Sequence, residues 1–320
     1  MNSRFFVSKL VSKRILLPVV VCFLVLLIGY FFLFWFHRET PDVSKDRQSI
    51  GKMTLLAFGI DLTTGAQHSD TIMVVQLDFL AKRVGVLSIP RDTYLPVPGH
   101  GMTKVTHAYA HGGTPLLLQT VSDFLQVPIH HYIQVDLRGV ASLVDALGGI
   151  DMDIAAPMNY EDHAGNLRIH FDKGRQRLNG DEAVEFLRFR HDAQGDFGRM
   201  RRQQLFIREA FRQIFYTSHI LDVPVLFWRL NRHFGTNLSF DQVVGLWMDV
   251  SELFKSNRLD MQVLPASSYW LDGVSYVRVS EQDLATARSR LLFGSDYVES
   301  TGAIPTKGAR LVLPEEAGNW

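Results

Sequence analysis

The fifteen residues from Arg188 to Arg202, R-F-R-H-D-A-Q-G-D-F-G-R-M-R-R, hold five arginines and two aspartates and run on into Gln203-Gln204. A guanidinium stays charged at physiological pH and presents a rigid fork of donors, so a cluster of them suits phosphate or carboxylate binding. A solvated helix face laced with ion pairs is the competing reading of the same charge pattern. Earlier in the chain, Asp61, Asp70, Arg91 and Asp92 each stand at the end of a short apolar run. Carboxylates prefer oxygen-loving cations such as Mg²⁺, commonly held by one or two acids together with substrate phosphates. Arginines across from such a cation complete a clamp on a transferring phosphoryl group. One acid at a sheet edge is ordinarily a cap or turn residue. Three acids with an arginine at one edge suit a pyrophosphate or phosphodiester better than a sugar or a peptide.

Other chemistries find less support. There is no H-E-x-x-H and no Cys/His spacing for zinc, and neither G-x-S-x-G nor a P-loop occurs. His107 and His111 are four apart on one predicted helix but lack a third ligand. Gly112-Gly113 serves a turn, with anion binding at the following helix start as the alternative.

The elements that must position these residues follow from pattern. Met53–Ile60, Thr71–Leu77 and Arg83–Ile89 are short, apolar and bounded by polar turns, which predicts three strands. Their brief connections favour an antiparallel meander. With the first strand running up, Asp61 ends it at the top, Asp70 opens the second there, and the third returns to Pro90-Arg91-Asp92. Helices are predicted over Thr103–His111 and Thr114–Leu125, then a strand at 131–135, a helix at 137–147 and a strand at 150–154. A polar loop at 159–166 and a strand at 167–171 come next. A helix capped by Asn179-Gly180-Asp181 runs towards Arg190, and another runs from Asp196 to Thr217. On that last helix Met200, Ile207, Phe211, Ile214 and Phe215 make the core stripe. Arg199, Arg202, Gln203 and Phe206 form the adjacent face. Arg188 and Arg190, two apart, cannot share a helix face and converge only if the helix ends there, which the loop at 191–195 supports. Helices at 225–233 and 239–254, strands Met261–Leu264 and Tyr276–Val279, a helix to Phe293 and an irregular tail at 296–320 complete the reading. The alternation argues α/β layers around one sheet.

Basic and acidic residues balance at 33 each, but unevenly along the chain. Residues 1–14 carry Arg4, Lys9, Lys13 and Arg14 and no acid, and Ile15–Phe36 carries no charge. Removing those four from the 33 basic residues leaves 29 against 33 acidic ones, a body with no footprint for nonspecific nucleic-acid binding. The 22-residue apolar run is long enough to span a bilayer. Its preceding cations place the N-terminus in the cytoplasm. We expect a cytoplasmic tail at 1–14, a transmembrane signal anchor at 15–36 and a tether at 37–50. An extracytoplasmic catalytic domain at 51–265 and a partly irregular C-terminal extension at 266–320 follow. Cys22 is the only cysteine, so no disulfide supports the outer body.

Six blocks, taken in order, resemble one family: F-G-I-D at 58–61, S-D-T-I-M at 69–73, S-I-P-R-D-T at 88–93, K-V-T-H-A-Y at 104–109, L-V-D-A-L-G-G-I at 143–150 and R-F-R-H…G-D-F-G-R…R-Q-Q at 188–204. The chain resembles the LytR–CpsA–Psr family of membrane-anchored cell-envelope enzymes. The resemblance implies a mixed central sheet with helices on both faces, behind one transmembrane helix in the cell membrane. It implies a phosphotransferase that moves a glycopolymer phosphate from a polyprenyl-pyrophosphate carrier to an envelope acceptor such as a peptidoglycan muramic acid hydroxyl. By motif position, Asp61 and Asp70 would hold Mg²⁺ or Mn²⁺, with Asp196 orienting arginines or reaching the metal. Asp70 and Arg91 would be catalytic, with Asp70 helping to deprotonate the acceptor. Arg91, Arg188, Arg190 and Arg199 would bind the pyrophosphate, with Lys104, Arg202 and Gln203 at the rim. Leu116, Phe124, Val140 and Leu143 would line the lipid-tail pocket. Two departures stand out: His68 where the family usually has arginine, and Thr106 where asparagine is common. Hydrolysis of the same carrier is the rival enzymatic reading. An anchored regulator is the rival non-enzymatic one, although no DNA-reading segment is present.

Overall fold

A strand in which all seven residues are buried, Arg83–Ile89, has to be covered on both faces. The computed structural model describes residues 51–61, 68–162, 167–192, 195–217, 233–255 and 258–294. The expected anchor at 15–36, the tether, most of the helix at 225–233 and the tail at 296–320 lie outside them. Among the described residues no helix is long and apolar enough to cross a membrane.

Strands β1 (Lys52–Asp61), β2 (His68–Asp78) and β3 (Arg83–Ile89) form the expected antiparallel meander. A hairpin of β4 (Tyr94–Val97) and β5 (Gly101–Lys104) leads into α1 (Val105–Leu125). Then come β6 (His131–Asp136) and α2 (Leu137–Ala146). Strand β7 (Ile150–Ile154) pairs with β10 (Gly174–Leu178) around the inner hairpin of β8 (Met158–Asp162) and β9 (Leu167–Phe171). Helices α3 (Gly180–Arg188) and α4 (Gly195–Thr217) carry the arginine cluster. The chain closes with β11 (Phe234–Thr236), α5 (Phe240–Lys255), β12 (Leu259–Val263), the hairpin β13 (Ser267–Leu271)–β14 (Val274–Arg278) and α6 (Glu281–Phe293).

The main sheet has the order β11-β6-β1-β2-β3-β12 and is mixed, with β6 parallel to β1 and β12 parallel to β3. Side chains alternate between its faces with the two-residue strand period. Leu56, Phe58, Ile72, Val74, Leu87 and Ile89 pack against Leu117, Val121 and Phe124 of α1 and Ala287 and Leu291 of α6. Leu55, Met73, Leu77, Val84 and Val86 face the other way, against Leu246 and Leu253 of α5 and Ile207 of α4. A further core gathers Ile150, Met152, Ile169, Phe171, Phe186 and Phe206 where the β7–β10 strands meet α3 and α4. Helices therefore cover both faces of a mixed α/β sheet, as expected.

The structure differs from the sequence reading at edges. Lys104 and its predecessors form β5 rather than a helix start, because they pair with β4. The predicted loop at 159–166 begins as strand β8, whose Tyr160 pairs with Ile169. Strands β10 and β13 are polar edge strands with no apolar run to mark them. The body does not stop near 265: Ala287 and Leu291 belong to the first core, which carries it to α6. The glycine break in α1 is as predicted, with Gly112 and Gly113 non-helical and Gly113 at φ 62°, ψ −157°, a region open essentially to glycine alone.

Candidate active site at the upper edge of the sheet

The turn after β3 is fixed by its own side chains. Pro90 O accepts from Thr93 N at 3.0 Å and from Thr93 Oγ1 at 2.6 Å, with Thr93 fully buried. The start of α1 locks on: Val105 N donates to Thr93 O at 2.9 Å and Thr106 N to Arg91 O at 3.2 Å. Thr106 Oγ1 also donates to Ser69 O at 3.0 Å, beside Asp70. One threonine thus joins β2 to the Pro90–Thr93 turn, a structural use for the residue that departs from the family pattern.

Two further devices bring the arginines to this edge. Gln204, buried in α4, donates through Nε2 to Ser88 Oγ and to Gln262 O, both at 2.7 Å, and so seats α4 on β3 and β12. Helix α3 starts at a capping box between Asn179 and Glu182, with reciprocal bonds of 3.0 and 2.8 Å. It ends at Phe189, whose φ −58°, ψ 133° is extended, so Arg188 and Arg190 can line one cleft although they are two apart.

The acids and cations meet there. Arg91 Nη1 donates to Asp70 Oδ1, and Arg91 Nε lies 3.9 Å from Asp92 Oδ2. Arg199 Nη2 pairs with Asp196 Oδ1 at 2.7 Å and reaches Asp70 O at 3.4 Å. Lys104 Nζ holds Asp92 Oδ1 at 2.8 Å. Burial works against the charge of Arg91, but Asp70, with Asp196 and Asp92, outweighs it and raises the pKa. At Arg199 burial dominates and the nearby cations Arg91 and Arg190 add to it, against Asp196 and Asp70, so the pKa is lowered. Arg91 Nε, Arg199 Nε and Gln203 Oε1 are buried without a hydrogen-bond partner among the described residues. Such groups are costly unless something else satisfies them.

Two cavities share this cluster. A polar cleft of about 430 Å³ is lined by Arg91, Asp92, Tyr160, Arg188, Arg190, His191 and Asp196. A largely apolar groove of about 550 Å³ lies between the sheet and helices α2, α3 and α4. Ala57, Met73, Val140, Leu187, Phe206 and Ile207 are among its walls, and Arg91, Arg188, Arg190, Arg199 and Gln203 stand at it. Arg91, Arg188 and Arg190 line both cavities.

Several expected residues fall elsewhere. Arg202 lines neither cavity: it pairs with Asp192, donates to Phe189 O and stacks 5.1 Å over the Phe189 ring, so it clamps the loop between α3 and α4. Lys104 acts through Asp92 and lies 5.4 Å over the Tyr276 ring. Of the four residues expected to hold a lipid tail, only Val140 lines the groove. Leu116 and Phe124 pack in the α1 core on the opposite face, because the strand alternation sends the groove to the α4 side. Leu143 is half-buried and lies outside the groove lining. Sequence reasoning missed Tyr160, hidden in a supposed loop, and left His191 and Leu187 unassigned although they adjoin or lie within the R-F-R-H block.

For a divalent cation the fit is partial but chemically sound. No group of three or more His, Cys, Asp or Glu side chains could hold a metal among the described residues. Asp196 is committed to Arg199 rather than joined with Asp70 in a ligand set. Asp61 ends β1 opposite His68, and its side chain is not among those described. Asp70, itself paired with Arg91, is the described carboxylate that would hold a hard cation, whose remaining shell would come from substrate oxygens, as is common for Mg²⁺.

The sequence matches the LytR_cpsA_psr family over residues 37–292. Regulatory protein MsrR of Staphylococcus aureus is 36% identical over 204 residues, covering 63% of this chain and 60% of that protein. The match thus spans less than two thirds of MsrR. A protein of Enterococcus faecalis named polyisoprenyl-teichoic acid–peptidoglycan teichoic acid transferase TagU is 30% identical over 263 residues, 79% of this chain and 84% of that protein. The crystal structure of Bacillus subtilis TagV superposes with a TM-score of 0.66 at 30% identity, covering 75% of this chain and 95% of that one.

Proposed function

The chain belongs to the LytR–CpsA–Psr family, and on that premise we propose a membrane-anchored phosphotransferase. It moves a glycopolymer phosphate from a polyprenyl-pyrophosphate carrier to a hydroxyl of a cell-wall acceptor, such as peptidoglycan muramic acid. The anchor is the apolar run at 15–36, with the catalytic body outside the cytoplasmic membrane.

One observation carries the reading: three arginines, Arg91, Arg188 and Arg190, line both a polar cleft and an apolar groove. An amphiphile with a diphosphate at its waist matches that order of surfaces. The lipid lies in the groove, the diphosphate satisfies the guanidinium donors, and the polar head occupies the cleft. Arginine forks suit non-bridging phosphate oxygens and gain strength where water is excluded.

In the reaction the acceptor hydroxyl oxygen forms a bond to the phosphorus that carries the glycan. The bond from that phosphorus to the bridging oxygen breaks, and the lipid monophosphate leaves with the electron pair. Asp70 orients Arg91 and takes the hydroxyl proton. Arg91 and Arg199 spread the charge that develops on the phosphoryl and leaving-group oxygens. Asp70 is also the described carboxylate that would hold Mg²⁺ or Mn²⁺, which when bound supplies Lewis-acid neutralisation of the diphosphate.

The test uses full-length chain in detergent with a prenyl-diphospho-glycan and peptidoglycan, measuring the new phosphodiester. We expect Asp70→Asn and Arg91→Ala each to lower turnover by a factor on the order of 100 or more. Chelation should stop transfer and Mg²⁺ restore it. Full turnover in both variants removes the site assignment. Polymer phosphate released to water at the same rate with or without acceptor makes the protein a hydrolase.

A further inference from the structure

We propose that the turn between β2 and β3, together with the end of α6, rests on the surface of the lipid bilayer. The inference depends on the proposed anchor at 15–36 and not on the phosphotransfer chemistry. Leu80, in the turn, is 84% exposed, and Phe293, the last residue of α6, is 49% exposed. A lone exposed leucine is ordinary, but this one is held out by a built turn. Ala81 N donates to Asp78 Oδ1 at 2.8 Å, and Arg258 Nη1 donates to Ala81 O at 3.2 Å. Phe79 N donates to Gly51 O at 2.9 Å, and Lys82 follows at φ 50°, in the left-handed region. These constraints keep Leu80 away from the core.

Leu80 and Phe293 belong to one patch. A Cβ added to Gly51 would lie 2.6 Å from Leu80 Cδ1. The next residue, Lys52, places Nζ 4.8 Å over the Phe293 ring, donates to Leu292 O at 3.1 Å and pairs with Asp78 at 3.3 Å. Lys82 and Arg258 are exposed beside the same turn. Apolar tips flanked by long cationic side chains suit a head-group boundary, where the tips enter the acyl edge and the cations reach anionic phosphates. Chain connectivity selects the bilayer as the occupant. The patch surrounds Gly51, and the fourteen residues 37–50 are all that separate it from the apolar run. Fully extended they reach at most roughly 50 Å, so this corner of the body stays near the membrane. A single turn is a pivot, not a footing, and leaves the groove on the α4 side free to tilt towards its lipid.

The test places the full chain in nanodiscs of phosphatidylglycerol and phosphatidylcholine, with the polarity-sensitive fluorophore nitrobenzoxadiazole on one cysteine at a time. Cys22 is the only native cysteine, so Cys22→Ser is a clean background for Leu80→Cys, Ala81→Cys, Phe293→Cys and, on β8, Glu161→Cys. Probes at 80, 81 and 293 should emit to the blue of the probe at 161 and lose emission when the acyl chains carry a nitroxide. The probe at 161 should do neither. If Leu80→Cys disturbs the turn, the exposed Ala81 position reports in its place. Water-like emission at 80, 81 and 293 overturns the proposal, as does quenching at 161 equal to theirs. A blue shift that the lipid nitroxide does not quench also overturns it, because residues 295–320 or a second copy would then cover the patch. A probe on the native Cys22 separates the two readings. If it is not quenched the anchor itself fails, whereas quenching at 22 without quenching at 80, 81 and 293 removes this inference alone.

Discussion

Arg91 and Arg199 meet at Asp70 in opposite electrostatic settings. Arg91 is over-compensated by acids, while Arg199 is held in a buried place that its cationic neighbours make worse. An arriving anion offsets part of the burial that works against the charge of both guanidinium groups. Arg202 is three residues on along the same helix yet has another task. Its guanidinium is spent on Asp192, Phe189 O and the Phe189 ring. Arg202→Ala should therefore lower stability by about 1.5–3 kcal/mol, the worth of charged hydrogen bonds in a buried setting, as read by urea denaturation. Arg199→Ala should instead weaken diphosphate binding. If Arg202→Ala leaves the denaturation midpoint unchanged but abolishes binding, Arg202 returns to the phosphate set.

Helix α3 must deliver Arg188 and Arg190 from a fixed axis, and its packing on α2 fixes that axis. A Cβ added to Gly180 would lie 2.4 Å from Ala141 O, a backbone atom that cannot swing aside. We expect Gly180→Ala to cost about 1–3 kcal/mol through forced separation of α2 and α3, with weaker diphosphate binding in the same variant. A neutral effect on both would show that α3 is free to shift. The same helix carries Glu185, whose pKa is raised by burial and then by Glu182 and Asp181. A raised carboxyl pKa means that the folded state holds the proton more tightly than the unfolded one. Its favourable contribution is complete below the unfolded pKa and is lost as pH rises through the folded one. Glu185→Gln should then gain melting temperature relative to wild type at neutral pH, and the difference should shrink towards acid. A difference that grows on acidification contradicts the assignment.

On the scale of the whole molecule, the sheet separates a closed face from one that opens into a groove. The α1 and α6 face is filled by Leu117, Val121, Phe124 and Leu291. The other face leaves about 550 Å³ under α2, α3 and α4. Val140→Trp should fill part of that groove and reduce affinity for a long prenyl diphosphate at least about tenfold, with inorganic pyrophosphate bound as before. Equal losses for both ligands would put the lipid elsewhere. Much of this architecture was legible beforehand. Apolar runs with short links gave the meander and carried Asp70 and Arg91 to one edge, and the two-residue offset of Arg188 and Arg190 required their helix to end there. These are local rules, set by backbone period and turn chemistry within a few residues. The sequence by itself therefore determined the central strands and the main helices, the sheet edge that gathers the acids and the arginines available to it. Only the tertiary structure decided which face of the sheet stays open, so that Val140 lines a groove while Phe124 fills a core. It alone turned Arg202 back onto its own loop and brought Tyr160 to His191. A strand's alternation says that two faces exist but not which helices will cover each, and that choice is made by contacts between residues far apart in the chain.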